Sequence, residues 1–386
     1  MIKLLNIMIK PSSSNCNMQC KYCFYYDISN KRIQKSYGFM NFELLEIIVQ
    51  KALKEVEEEC TFAFQGGEPT LVSIDFYKKL LEYEQKYNQK NIKINNAIQT
   101  NGLVIDEKWA YFLAQNNFLV GISLDGTKDI HDLYRVDNQG KGTFQRVIKA
   151  IHLLDQYHVK YNILTVVTAQ VARRIHKIYN FFKNENFIYL QFIPCLDPLD
   201  EEPGRYRFSL TPEKYGYFLK TLFDLWYEDI MNGHIISIRY FDNLIQLLMG
   251  YPPEACGMLG HCTCQFIIEA NGGVYPCDFY VLDKWYLGNI KEKSFDELLK
   301  SPISLKFVEV SKHIDTKCHS CPFLPICLGG CRRWREPFIN GKPHLNYLCP
   351  AYREFFKYTI DRFNNIIEKI KRGNFSNSII KPKDFI

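Results

Sequence analysis

Apolar residues along the first half of the chain alternate between two periods. Leu4 to Ile9 is a short continuous run, after which Leu44, Leu45, Ile48, Ala52 and Val56 recur at helical spacing. The exchange then repeats: strand over 61–65, helix through Phe76, Leu80 and Tyr83, strand over 92–98, helix over 107–114, strand over 118–124. Helix 143–154, strand 161–168, helix 172–182 and strand 188–193 complete about six strand–helix units. Such alternation predicts a parallel sheet with right-handed crossovers, and periodicity alone does not separate an open sheet from a partial barrel. Past residue 200 the pattern changes. Asp200-Glu201-Glu202-Pro203-Gly204 is a turn-rich break, a helix is expected over 212–231, and the stretch 256–349 is rich in cysteine and loops. A last amphipathic helix carries Phe356, Ile360, Phe363, Ile367 and Ile370.

A chain of 386 residues, 47% apolar, suits a barrel followed by a smaller domain. Its 48 basic and 42 acidic residues are interspersed, so the net charge of +6 forms no nucleic-acid-binding stripe. There is no run of about 18 apolar residues and hence no membrane span. The segment before Cys16 lacks the apolar core and cleavage site of a signal peptide; Met1 to Lys10 reads as a strand. Fourteen cysteines in metal-type spacings, in a chain without a signal, point to thiolate ligands in a reducing cytoplasm rather than to disulfides.

The chemistry concentrates in three places. Cys16, Cys20 and Cys23 are spaced C-x3-C-x2-C, with Tyr22 and Phe24 flanking the last. Three thiolates hold three irons of a cubane cluster and leave the fourth iron open, whereas structural zinc prefers four ligands. Gly66-Gly67-Glu68-Pro69 ends an expected strand, on the face where barrel enzymes place their sites; read alone it is an ordinary strand-to-helix turn. The third place is Cys318-x2-Cys321-x5-Cys327-x3-Cys331, then Cys349, preceded by Cys256, Cys262 and Cys277. These eight cysteines exceed what one zinc ribbon needs, and spacing does not fix how they pair. Cys60 and Cys195 border strands and read as buried apolar residues, while Cys264 is an alternative ligand ranked below Cys262. Asp278 follows Cys277 among aromatics, either capping a turn or serving as a carboxylate of raised pKa suited to proton abstraction.

The C-x3-C-x2-C loop with its aromatic resembles the signature of the radical S-adenosylmethionine (SAM) enzymes, and the later cysteines resemble their SPASM extension. Four further stretches closely resemble the anaerobic sulfatase-maturating enzymes: Cys23-Phe24-Tyr25-Tyr26-Asp27, Phe62 to Thr70, Ile98-Gln99-Thr100-Asn101-Gly102, and Tyr275 to Tyr280 with Leu287-Gly288-Asn289. The resemblance covers about residues 7 to 365. It implies a partial (β/α)6 barrel over 1–235, a SPASM domain over 236–370 and a flexible tail over 371–386.

By the same resemblance the cofactors are three 4Fe–4S clusters and SAM. Cys16, Cys20 and Cys23 would hold the SAM-binding cluster; Cys256, Cys262, Cys277 and Cys331 would hold one auxiliary cluster and Cys318, Cys321, Cys327 and Cys349 the other. SAM contacts are implied for Tyr22 near the adenine, Gly67 at the methionine moiety, Ser123 near the ribose or carboxylate, Arg135 near the carboxylate, and Leu196. An arginine suits a carboxylate through its planar donor fork; the plainer readings are a surface charge for Arg135 and a strand-end cap for Ser123. The implied reaction oxidises a cysteine, or a serine, of a sulfatase to Cα-formylglycine. A 5′-deoxyadenosyl radical takes hydrogen from the target Cβ, Asp278 takes the thiol or hydroxyl proton, and an auxiliary cluster takes the electron. Gln65 is placed to hold the peptide or to brace a turn. The implied partners are an unfolded sulfatase segment and a flavodoxin- or ferredoxin-type electron donor, with the enzyme a monomer. Two rivals stand beside this reading. Another SPASM peptide maturase, such as a thioether-forming one, is disfavoured by the short segment ahead of Cys16; a non-enzymatic electron-transfer protein does not explain the Gly-Gly-Glu-Pro loop.

Overall fold

The computed structural model describes residues 2–338 and 341–373. Strands and helices alternate as β1 (Ile2–Ile9), α1 (Phe24–Asn30), α2 (Phe42–Glu55), β2 (Val56–Phe64), α3 (Ile74–Tyr87), β3 (Lys93–Thr100), α4 (Glu107–Gln115) and β4 (Leu119–Ser123). Next come α5 (Lys128–Tyr134), α6 (Phe144–Gln156), β5 (Tyr161–Val167), α7 (Ala169–Arg173), α8 (Ile175–Asn184) and β6 (Tyr189–Pro194). After α9 (Pro212–Met231), β7 (Ser237–Ile238) and α10 (Arg239–Leu248), the cysteine-rich part holds only short strands: β8 (Ile267–Ile268), β9 (Gly273–Tyr275) and β10 (Gly288–Asn289). Helices α11 (Phe295–Leu299), α12 (Pro302–Ser311), α13 (Thr316–His319) and α14 (Leu324–Cys327) precede the long α15 (Cys349–Lys371).

Strands β1 to β6 are parallel and lie side by side in chain order. Right-handed crossovers that always step the same way keep every helix on one face, whereas a doubly wound sheet reverses its order part-way. This order is that of a partial barrel followed by a cysteine-rich extension. The extension is stitched into the same sheet: β7 adds parallel to β6, β8 adds parallel to β1, and β9 and β10 follow antiparallel, giving ten strands.

Local chemistry explains the helix starts. The Asn41 side chain accepts from Leu44 N at the head of α2, and Thr211, with Pro212 behind it, caps α9. The expected strands and helices of the first half are present with shifted ends. Val56, counted on a helical face, instead opens β2; it is fully buried, and burial is common to both readings. Of the expected tail 371–386, the part beyond Gly373 lies outside the described residues. Helix α15 lies along α9, and Phe223, Trp226, Phe241, Phe355 and Phe363 interlock there, with Phe223 and Phe363 ring centroids 4.8 Å apart. Phe363→Ala is expected to destabilise the fold by about 3–5 kcal/mol, read by urea unfolding, since it removes a buried ring and leaves a cavity.

Candidate active site and cluster-binding residues

All six barrel strands present their C-terminal ends to one rim, and the expected site residues lie there. The cysteine loop leaves β1 at Lys10 and is seated on the loop after β2. Gly67 N donates to Ser13 O at 2.9 Å and Glu68 N to Asn15 O at 2.8 Å. A Cβ on Gly67 would lie 2.0 Å from the Asn15 carbonyl oxygen, and Gly66 takes φ +128°. The close approach that these glycines permit is therefore first of all to the cysteine loop itself. Glu68, buried, holds the rim together: it accepts from Thr70 N and Oγ1, Thr100 Oγ1 and Asn101 N at 2.6–3.0 Å. Asn101 in turn bonds Asn17 at 2.7 Å and reaches the Cys16 sulfur at 3.8 Å.

Behind the loop lies a buried polar cluster. The Tyr22 hydroxyl donates to Asp125 Oδ2 and accepts from Arg135 Nη1, and Asp125 Oδ1 accepts from Val166 N at 3.0 Å. Arg135 is buried, not a surface charge, and its Nε has no hydrogen-bond partner. Ser123 Oγ accepts from Gln99 Nε2 at 3.1 Å. Tyr22, Cys23 and Leu196 line one cavity of about 180 Å³, with Phe24, Lys21, Asp197 and Phe208. Sequence reasoning missed Asp125 as the anchor of Tyr22, although it lies only two residues past Ser123.

A second buried group lies at the seam between barrel and extension. Parallel pairing sets Ile9 against Ile268, so Lys10 and Glu269, the next residues, are neighbours by register. Lys10 Nζ lies 3.5 Å from Glu269 and 3.9 Å from Asp278, and Arg32 Nη1 lies 2.5 Å from the same Glu269 oxygen. Tyr25 donates its hydroxyl to Asp278 Oδ2 at 2.5 Å, with Gln65 within reach of that hydroxyl and Lys10 over the Tyr25 ring. Asp278 Oδ1 is buried without a hydrogen-bond partner. Burial pushes the Asp278 carboxyl above its ordinary value, Lys10 and Tyr25 pull it back, and Glu269 pushes it up. For Glu269 burial acts upward too, but Lys10 and Arg32 outweigh it and hold the carboxyl below its ordinary value. Lys10 and Glu269 had no signature in the sequence beyond charges that end apolar runs, and Arg32, after Asn30 and Lys31, had none.

The cysteines fall into three groups. Cys16 is close enough to Cys20 and Cys23 to feel both thiolates. Cys277 feels Cys331, Cys256 and Cys262, whereas Cys327 feels Cys349, Cys318 and Cys321. The last four line one cavity of about 120 Å³ with Phe323, Tyr352 and Phe356. Cys60 and Cys195 are buried away from these groups. Among the described residues no three His, Cys, Asp or Glu side chains converge tightly enough to hold a single ion. Zinc–sulfur bonds of about 2.3 Å would crowd four sulfurs round one atom, whereas a cubane gives each thiolate its own iron. The donor sets fit clusters rather than zinc. Burial pushes Cys16 and Cys331 up to about 12, so cluster loading releases protons from these thiols.

A strand-ordered partial barrel, an open cysteine triad on its rim and two further cysteine sets define a radical SAM enzyme with a SPASM extension. The radical SAM superfamily model matches residues 11–182, and that of the SPASM iron–sulfur cluster-binding domain matches residues 260–322. The cysteine-type anaerobic sulfatase-maturating enzyme of Clostridium novyi is 50% identical over 96% of this chain and 99% of its own length. The serine-type enzyme of Bacteroides thetaiotaomicron is 34% identical over 92% of this chain and 89% of its own. The solved structure of anSMEcpe with bound AdoMet and the Cp18Cys peptide superposes with TM-score 0.92 at 49% identity, covering 95% of this chain and 99% of that one. The chain belongs to the anaerobic sulfatase-maturating enzymes. Its cofactors are 4Fe–4S clusters and SAM.

Two measurements follow from this geometry. Gly67→Ala is expected to push the cysteine loop off its seat and remove about four irons per chain, by iron quantification after anaerobic reconstitution. Cys262→Ala is expected to lose about four irons and Cys264→Ala none; the reverse result would move the ligand to Cys264.

Proposed function

We propose that this chain oxidises a cysteine of a sulfatase polypeptide to Cα-formylglycine, with Asp278 as the proton acceptor. The observation that carries the role of Asp278 is its place in the seam: it follows Cys277, it is bonded to Tyr25, two residues past Cys23, and its Oδ1 faces Lys10 but accepts no hydrogen bond. A proton leaving a peptide thiol between the two cluster sites meets a carboxylate with a free acceptor. The clusters and SAM, when bound, supply the one-electron chemistry that removes hydrogen from the target Cβ and takes up the remaining electron. Lys10 steadies the ionised form of Asp278, and Tyr25 fixes its orientation through Oδ2. Gln65, beside Tyr25, is assigned to the peptide backbone.

The remaining assignments belong to the same reading. Tyr22, Gly67, Ser123, Arg135 and Leu196 serve SAM; Tyr22 and Leu196 share a cavity with Cys23, and Arg135 braces Tyr22. Cys16, Cys20 and Cys23 hold the SAM-binding cluster, and the two sets of four cysteines hold the auxiliary ones. Cysteine is favoured over serine as the target because identity is 50% to the cysteine-type relative and 34% to the serine-type one. A flavodoxin- or ferredoxin-type protein supplies electrons to a monomer in a reducing cytoplasm, a setting that suits fourteen free cysteines. Among the described residues no helix is long and apolar enough to cross a membrane.

Asp278→Asn is expected to keep its iron and its SAM binding while formylglycine formation falls about 10²- to 10⁴-fold, the usual worth of a positioned base. Mass spectrometry of sulfatase-derived peptides bearing cysteine or serine reads the product, and the cysteine peptide is expected to react faster. Undiminished turnover in the variant would place the base elsewhere.

A further inference from the structure

Two guanidiniums are buried beside the Cys256, Cys262, Cys277 and Cys331 set, and among the described residues no carboxylate pairs with either. Arg332 is 3% exposed and Arg335 1% exposed. Arg332 donates to Phe307 O at 2.9 Å and sits in a box of aromatic faces, with Phe307 at 4.2 Å, Phe338 at 4.6 Å, Trp285 at 4.8 Å and Tyr280 at 5.0 Å. Arg335 donates to Ser311 O and His313 O, each at 2.9 Å. Neither forms an ion pair among the described residues, and the nearest described carboxylate on this segment, Glu336, accepts from the Tyr280 hydroxyl instead. Carbonyls and ring faces soften the burial of a cation without neutralising it. Two like charges in one interior need an anion, and both act electrostatically on Cys262, Arg335 also on Cys331. The other auxiliary set sits in a mixed field: Cys318 feels the acidic Asp315 as well as Arg335, and Cys349 feels Arg353 as well as Asp315, whereas Arg332 acts on neither.

We infer that Arg332 and Arg335 are the counter-charges of the cluster bound by Cys256, Cys262, Cys277 and Cys331, and that they raise its reduction potential. The inference rests on the ligand assignment proposed above. Net charge, hydrogen bonding and exposure tune a cluster's potential, and one-electron reduction adds a negative charge among four thiolates. Two fixed positive charges favour the reduced form. The electron is the one left on the substrate after hydrogen abstraction, so no other reductant enters. Arg332 and Arg335 are thus positioning residues that act through the cluster's field.

The test uses the full chain, reconstituted anaerobically, as wild type and as Arg332→Gln, Arg335→Gln and Arg332→Lys. Iron is counted, and a redox titration is followed by electron paramagnetic resonance. Poised at the wild-type midpoint, each glutamine variant is expected to show a reduced-to-oxidised ratio at least tenfold lower, a downward shift of about 59 mV for a one-electron couple. The SAM-binding cluster should be unmoved in every variant and the Cys318 cluster unmoved in Arg332→Gln, and Arg332→Lys, which keeps the charge, should stay near wild type. Glutamine variants with full iron and an unchanged potential would overturn the inference. If Arg332→Gln loses the cluster, Arg332→Lys decides: full iron at the wild-type potential upholds the counter-charge, and the same loss reduces Arg332 to a packing role. A wild-type chain with iron for fewer than three clusters would instead bring down the ligand assignment, before any potential is read.

Discussion

The buried ion group of Lys10, Arg32, Glu269 and Asp278 is the constraint on which the rest of the site depends. Two cations and two carboxylates share an interior where none could stand alone, because breaking such a set leaves an uncompensated charge. Its geometry is dictated by backbone register: β8 lies parallel to β1, so the residue that starts the cysteine loop and the residue that ends β8 must meet. The hairpin then turns through β9 and delivers Cys277 and Asp278 back to the rim. The spacing between the open cysteine triad and the first auxiliary set is therefore a property of one continuous sheet.

On the other side of the triad the same result is reached without an ion pair. Gly66 and Gly67 let two backbones touch where side chains would collide, and Glu68 ties that contact to the ends of β2 and β3. The triad is thus gripped between a loop-on-loop contact and an ion group. A site that must direct a reactive radical at one hydrogen gains from such rigidity, since orientation and exclusion of competing reactions are the protein's share of the work.

Much of this was legible in the sequence, for physical reasons. Strands of five to nine residues flanked by amphipathic helices leave a period, and clustered cysteines leave a spacing. Strands β7 to β10, of two or three residues, are too short to carry a period, so the stitching of the extension into the barrel sheet was invisible. Helix α1 begins directly after Cys23 and was hidden in the motif. Lys10 and Glu269 are 259 positions apart, and an isolated charge in a sequence reads as a solvated one. Their shared trait, a charge that ends an apolar run, becomes informative only once the two runs are known to pair. Arg135 shows the same limit: nothing in its neighbours announces that it is buried against Tyr22.

The seam also bears on which target residue suits the chain. A carboxylate, even one lifted by burial, is a weak base, and an ordinary thiol with pKa of about 8.5 is much closer to it than an alcohol is. Proton transfer is most efficient when donor and acceptor are closely matched. Lys10 and Tyr25 oppose the lift on Asp278 and so weaken its hold on a proton from either donor by the same amount. With Asp278 in its proposed role, the greater acidity of the thiol itself would favour loss of a thiol proton over a hydroxyl proton, in line with the greater identity to the cysteine-type relative.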